Sequence, residues 1–271
     1  MPPAKTKPKF PLCRLPSESV TNVLKIMKLS EIFNLSETSL KARSIVELAM
    51  QTIPSHLDLQ GFPSKNYKLT VENDGQKVQV QFPHATDALT NFKQKLFRIC
   101  KTFQIKTASV YFSCPVEAHI IELLGFIKKR KVQFQDFSIK GSVTEQNFKF
   151  FMTIGAQRFH LDMSETQPVT EVFALLKIQE VVLQNAAISS QMLNKVLKAW
   201  KTTSRLKKFR VIKNWKMDTS VVFQGLHVKQ KSRSDTKKEY EIDLDGGGKA
   251  TCCFKFEKGS STNGFEFIVI N

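Results

Sequence analysis

Asp245-Gly246-Gly247-Gly248-Lys249 is a glycine-rich run ending in a lysine, a combination that can cradle phosphate. A phosphate loop also needs a glycine five residues before Gly248 and a hydroxyl after the lysine. Asp243 and Ala250 stand there, so neither the tight first turn nor the magnesium ligand is supplied. Asp243 and Asp245 instead open a calcium-loop spacing. Its fifth position would be Gly247 and its twelfth Phe254, which removes two oxygen ligands, one of them the bidentate carboxylate. The remaining reading is a glycine turn, where positive φ is cheap.

Histidines and cysteines are the other groups able to do chemistry. The five histidines are His56, His84, His119, His160 and His227. His84 with Asp87 and His119 with Glu122 stand at i,i+3 spacing, but no second His or Cys completes either as a metal site. The five cysteines, Cys13, Cys100, Cys114, Cys252 and Cys253, are odd in number and form no C-x-x-C pair. This reads as free buried thiols rather than a disulfide framework or a zinc site. No G-x-S-x-G elbow is present. The expectation is a chain that is not an enzyme and carries no metal or cofactor.

Composition bounds the partners. The chain has 271 residues with 41% hydrophobic, enough for a folded core. No run of about 18 apolar residues exists, so no membrane span is expected. The opening MPPAKTKPKF reads as a disordered basic tail over residues 1–9 without a signal-peptide core, which points to the cytoplasm or nucleus. Asn34-Leu35-Ser36 is a sequon without a secretory route. Net charge is +17, a field that attracts polyanions and acidic surfaces. The cations gather at Lys128–Lys131, Arg205–Lys216 and Lys229–Lys238; the last stretch reads as a solvated loop. Most of the 22 phenylalanines sit at core-type spacing rather than as base-stacking platforms, which argues against nucleic acid.

The elements that must position any site begin at Phe10. Over residues 10–50, an arm ending in Leu15-Pro16 leads into three short amphipathic helices. Ser17 and Ser30 are plausible N-caps. Val20, Val23, Leu24 and Met27 form one ridge; Ile32, Phe33 and Leu35, then Ile45, Val46 and Leu48, continue it. About 40 residues cannot bury that much apolar surface alone, so this segment reads as a docking module. Leu15-Pro16-x-Glu18-x-Val20-x-x-Val23-Leu24-x-x-Met27-x-Leu29-x-x-Ile32 resembles an F-box, and the flanking Phe10-Pro11-Leu12 and Leu35-Ser36 resemble the nematode set of F-box proteins. The resemblance implies docking to the Skp-type adaptor of a cullin–RING ubiquitin ligase through Leu15, Pro16, Val20, Val23, Leu24, Met27 and Ile32. Ala42-Arg43 occupies the region where many F-boxes carry a tryptophan.

The middle of the chain repeats. A loose L-x-x-L-x-L pattern recurs at Thr107/Val110/Phe112, Phe134/Phe137/Ile139, Ala156/Phe159/Leu161, Ile178/Val181/Leu183 and Leu206/Phe209/Val211, with Asn214 completing the last. The spacing lies in or near the leucine-rich-repeat range. Helical patterns intervene at Leu89–Phe103, Val116–Lys129, Asn147–Met152, Val169–Leu176 and Ser190–Trp200. Strand plus helix, repeated, predicts parallel strands with helices on one side. Tyr67–Glu72 and Lys77–Phe82 flank Asn73-Asp74-Gly75 as a hairpin; Glu239–Leu244, Thr251–Phe256 and Phe265–Ile270 read as antiparallel strands. Leu193, Leu197-x-x-Trp200, Leu206–Ile212, Phe223-x-Gly225 and Tyr240–Thr251 are similar to the type 2 F-box-associated domain of nematode proteins. The expected fold class is thus α/β: a three-helix F-box, then over residues 64–271 a leucine-rich-repeat-like domain with parallel strands and antiparallel hairpins at its ends.

The resulting reading is a non-catalytic substrate adaptor of a Skp–cullin–F-box ligase. Its alternatives are a basic nucleic-acid-binding protein and a repeat scaffold without a ligase. Strand alternation places Tyr111, Ser138, His160, Val182 and Arg210 in one outward column, the predicted face for an unidentified target protein. Ser109, Asp136, Arg158, Glu180 and Lys208 form the second.

Overall fold

Pro16 holds an extended backbone just before the first helix, and its carbonyl accepts the first helical bond from Val20 N at 3.0 Å. In this computed structural model, residues 14–51, 53–62, 67–82, 88–113, 118–168, 172–203, 205–213, 217–245, 247–256 and 263–270 are described. Helix α1 spans Ser17–Ile26, α2 Leu29–Thr38 and α3 Leu40–Met50. Ser17 and Ser30 lie inside their helices rather than capping them. At the start of α2, Glu31 reaches back to accept from Lys28 N at 2.8 Å. Ser39 caps α3 by accepting from Ala42 N at 3.1 Å.

The chain divides into two compact units, the first Met1–Asp58 with Tyr67–Thr107, the second Leu59–Asn66 with Ala108–Asn271. The expected boundary between residues 50 and 64 therefore gives way to a different grouping. The first unit packs the three helices with the hairpin β2 (Tyr67–Asn73) and β3 (Gln76–Phe82) and with α4 (Ala88–Thr102). The reason is visible in the contacts. Leu29 N donates to Gln76 Oε1 at 2.6 Å, and Phe33 stacks on Phe103 with centroids 6.3 Å apart. Glu37 gathers Lys95 at 2.5 Å, Arg98 at 3.8 Å and Arg43 at 3.9 Å, while Glu47 meets Lys101 at 3.4 Å. Hairpin and α4 thus cover much of the apolar surface that the helices cannot bury among themselves. Strand β1 (Pro54–Gly61), in the stretch between the two expected domains, pairs beside β2.

In the second unit the strand order is β4-β5-β6-β7-β8-β12-β11-β10-β9. Here β4 is Gln104–Phe112, β5 Gln133–Gly141, β6 Arg158–Pro168, β7 Glu180–Ala187 and β8 Lys208–Lys213; β9 is Val228–Arg233, β10 Lys237–Asp243, β11 Lys249–Phe256 and β12 Asn263–Ile270. Strands β5 to β8 are parallel, and β8, β12, β11, β10 and β9 continue antiparallel. Helices α5 (Ala118–Lys129), α6 (Glu145–Met152) and α7 (Ser190–Thr203) fill three of the connections. Two expectations fail. The helix predicted over Val169–Leu176 is a 3-10 turn, Val172–Lys177. The solvated loop predicted over Lys229–Lys238 is β9, a turn and the start of β10. As an edge strand with almost every residue exposed, β9 shows no apolar alternation to read.

Val110, Phe137, Phe159, Val181 and Phe209 are all buried, as are Phe112, Ile139, Leu161, Leu183 and Val211. Phe137 and Phe159 stack at 5.5 Å with planes 5° apart, and Phe151 of α6 packs on Phe137 at 5.0 Å. A second aromatic group, Phe265, Phe254, Phe223 and Tyr240, secures the antiparallel strands. Trp200 on α7 donates its indole N–H to Leu206 O at 2.8 Å, pinning helix to strand. Phe159→Ala should cost about 3–5 kcal/mol, the usual loss for a core phenylalanine. A urea titration followed by far-UV circular dichroism would show this as a lowered midpoint.

Candidate functional site

Two surfaces qualify, one in each unit. On the first, Leu15 is half-buried and Pro16 exposed, placed by the start of α1. The ridge behind them does not all face outward. Val20, Leu24 and Ile32 are buried inside the unit, and Val23 and Met27 are half-buried. Sequence reasoning gave all five to an adaptor; in the free chain the first three hold the helices together. Leu24, Met27 and Ile32 line a cleft of ≈ 360 Å³, with Asn73, Asp74 and Gln76 at its edge. On the same helices Ile26 (84% exposed) and Leu40 (78%), which the sequence reading passes over, stand in solvent, as does Leu48 (61%), which it places on the ridge. Ile26 and Leu40 fall off the i,i+3,i+4 stripe of their helices, and that was the available signal. The tryptophan position of other F-boxes is here Ala42, buried, and Arg43, whose Nε donates to Ser36 O at 3.2 Å.

The second surface is the sheet face away from the helices. Register pairs Ser138 with His160, His160 with Val182 and Val182 with Arg210. It likewise pairs Asp136, Arg158, Glu180 and Lys208 in sequence. Tyr111, on neighbouring β4, is 40% exposed. Ser138, Val182 and Arg210 are half-buried and His160 exposed. Ser109, expected to be outward and open, is buried because its hydroxyl turns to Asp136 Oδ2 at 3.1 Å. Register carries the face onward through Glu266 opposite Arg210 and Cys253 opposite Glu266.

Charge on this face is largely self-matched. Arg158 grips Asp136 with Nε at 2.5 Å and Nη2 at 2.7 Å. That bidentate contact, with the Ser109 and Tyr111 hydroxyls, holds the Asp136 carboxyl below its ordinary value against partial burial. Lys255 and Lys208 reach Glu266 at 3.1 and 3.8 Å. Lys231 and Lys249 both meet Glu241 at 2.6 Å and draw it down to about 2. Glu180 and Arg210 have no ion-pair partner among the described residues. Such a face can bind by shape and hydrogen bonds. Burial pushes up the thiol of Cys253 on this face and that of Cys252 on the core face. Among the described residues no group of three or more His, Cys, Asp or Glu could hold a metal, and no helix is long and apolar enough to cross a membrane. His84, Asp87, Cys13 and Cys114 lie outside the described residues.

Comparison with known proteins finds the F-box domain at residues 12–49. No curated protein matches the chain. A solved structure from Bacteroides fragilis, described as an alpha-galactosidase, aligns at 9% identity over 81% of this chain and 96% of that one, with a TM-score of 0.18. That match carries nothing about the fold or activity of this chain.

His160 gives this face a pH signature. Desolvation lowers its proton affinity; Asp162 opposes this and Arg210 adds to it. The folded state therefore takes the proton less readily than the unfolded chain. Its stability contribution is present above the ordinary histidine range and is lost as pH falls through that range. Between about pH 7.5 and about pH 5.5, the wild type should lose more stability than His160→Gln, read as the shift in urea midpoint. Equal shifts in the two proteins would place the titration elsewhere.

Proposed function

We propose that this chain is the substrate-recognition adaptor of a Skp–cullin–F-box ubiquitin ligase. The F-box at residues 12–49 carries the reading, because F-box domains typically bind Skp-type adaptors. Supporting it are apolar groups left in solvent on the same helices: Ile26, Leu40 and Leu48, together with Pro16 at the end of the arm. Exposed apolar side chains clustered on a short segment mark a protein interface. In this reading Leu15, Pro16, Val23 and Met27 contact the adaptor directly, whereas Val20, Leu24 and Ile32 keep the helices in shape.

The second unit would hold the target protein, on the face built from Tyr111, Ser138, His160, Val182 and Arg210. The resemblance of its sequence to the nematode type 2 F-box-associated domain supports this reading; within the unit, Trp200 anchors α7, Phe223 packs on Tyr240, and β10 pairs with β11. The protein would do no chemistry itself, would need no cofactor, and would work in the cytoplasm or nucleus. Tethering raises the target's effective concentration near the ubiquitin-loaded enzyme, which makes transfer to its lysines nearly intramolecular.

The test is a titration with a Skp-type adaptor. Leu15→Ala with Pro16→Ala should weaken binding by several kcal/mol, since truncated interface anchors cost about 2 each, and should leave thermal unfolding unchanged. Ile26→Ala should weaken binding with the fold intact. Val20→Ala should instead lower stability by about 1–3 kcal/mol, as a core cavity does. Adaptor binding that survives the Leu15/Pro16 change intact would remove the ligase reading.

A further inference from the structure

Five unmatched cations of the second unit lie along one edge of it. Parallel strands β5 to β8 all enter from the same side, and the residues just before them line that side. Lys129 and Lys131 precede β5, Lys177 precedes β7, and Arg205 and Lys207 precede β8. All five are exposed, and none has a carboxylate partner among the described residues. Backbone bonds fix their order: Gln179 N donates to Gln157 O at 3.0 Å, Lys207 N to Gln179 O at 2.7 Å and Arg205 N to Leu176 O at 3.2 Å. Gln157, Gln179 and Lys207 thus stand in order just ahead of β6, β7 and β8.

Three features make this edge a site rather than scattered charge. No Asp or Glu occurs in residues 128–135, 153–157, 174–179 or 205–208. At Gly155 a Cβ would meet nothing within 4 Å, so that point of the edge is open space. Helix C-termini are the remaining negative groups, and each end is worth only about half a charge. The ends of α5, α6 and α7 together offset roughly one and a half of at least five unpaired positive charges.

We infer that this edge binds an extended acidic segment of a partner protein. From β5 to β8 is three strand spacings, about 14 Å, the length of roughly four extended residues. A short run of Asp and Glu laid across the entries would meet Lys131, Lys177, Arg205 and Lys207 in turn. Single-stranded nucleic acid fits less well, because the neighbouring rings are already covered. Arg130 lies over Phe126 at 4.8 Å and Lys128 over Phe150 at 6.0 Å, which leaves those faces closed to bases. The inference does not depend on adaptor docking and goes beyond it, naming the chemistry that the second unit recognises.

Fluorescence anisotropy with a labelled glutamate decapeptide, at low salt and on the full chain, tests it. A deoxythymidine decanucleotide is the competing probe. The triple variant Lys131→Glu/Lys177→Glu/Lys207→Glu should weaken peptide binding about tenfold, and a control with the same charge change at Lys106, Lys195 and Lys229 should weaken it about twofold or less. The milder Lys131→Gln/Lys177→Gln/Lys207→Gln should fall between, so the readout does not rest on the folding of one variant. No peptide binding by the wild type, or equal losses in rim and control variants, would overturn the proposal. So would a decanucleotide that binds the wild type more tightly than the peptide and is lost in the rim variant. Skp-type adaptor binding, measured on the same proteins, should stay unchanged whichever way the peptide result falls.

Discussion

Backbone register between β5, β6, β7 and β8 is the constraint on which the second unit depends. It lines up Phe137, Phe159, Val181 and Phe209 on one face. Side chains alternate along a strand, so the same register places Ser138, His160, Val182 and Arg210 on the other. A slip of one residue would push four large apolar groups into water and bury His160 and Arg210. Burying an unpaired guanidinium costs several kcal/mol, and exposing a phenylalanine forfeits about 1.5–3 more. One pairing choice therefore fixes both the core and the outward face. The alternation Asp136, Arg158, Glu180, Lys208 belongs to the same choice, since only this register makes the bidentate Arg158–Asp136 contact.

In the first unit the same accounting runs between stability and docking. Short helices cannot both bury a ridge and present it. Val20, Leu24, Val46 and Met50 go inward, and Glu37 with Glu47 ties α2 and α3 to cations on α4. What is left outside is a sparse apolar set: Pro16, Ile26, Leu40 and Leu48. The ion pairs are partly exposed and individually worth about 1 kcal/mol or less, so packing does most of the holding. An arm with a few projecting anchors suits a partner that supplies the missing core.

Much of this was legible in the residues. The five apolar triplets became β4 to β8 because their alternation is strong and one face is buried. Asn73-Asp74-Gly75 made its hairpin, with Asp74 and Gly75 both at positive φ. The failures have physical causes. β1 was missed because Pro54 opens it and its alternation is partly polar. β9 was missed because an edge strand need not be apolar. The stretch over Val169–Leu176 has helical spacing, yet Pro168 just before it ends β6, and only a 3-10 turn, Val172–Lys177, follows. Ser109 was misplaced because a hydroxyl can be buried once a carboxylate accepts it. Val20, Leu24 and Ile32 were read as interface because periodicity reports which face is apolar, not what covers it.

The same limit applies to charge. Counting gives +17 and says nothing of its distribution. Folding separates the cations into two populations. Most of those on the open sheet face, Arg210 excepted, meet carboxylates brought beside them from other strands: Arg158 with Asp136, Lys208 and Lys255 with Glu266, Lys231 and Lys249 with Glu241. Those at the strand entries meet none among the described residues, and the last few residues before each strand (128–135, 153–157, 174–179 and 205–208) hold no Asp or Glu. Like charges held together repel, and exposed pairs would have relieved that at little entropic cost. Leaving the relief out just ahead of four successive strands while supplying most of it on the adjoining face is the arrangement expected when the counter-charge comes from another molecule.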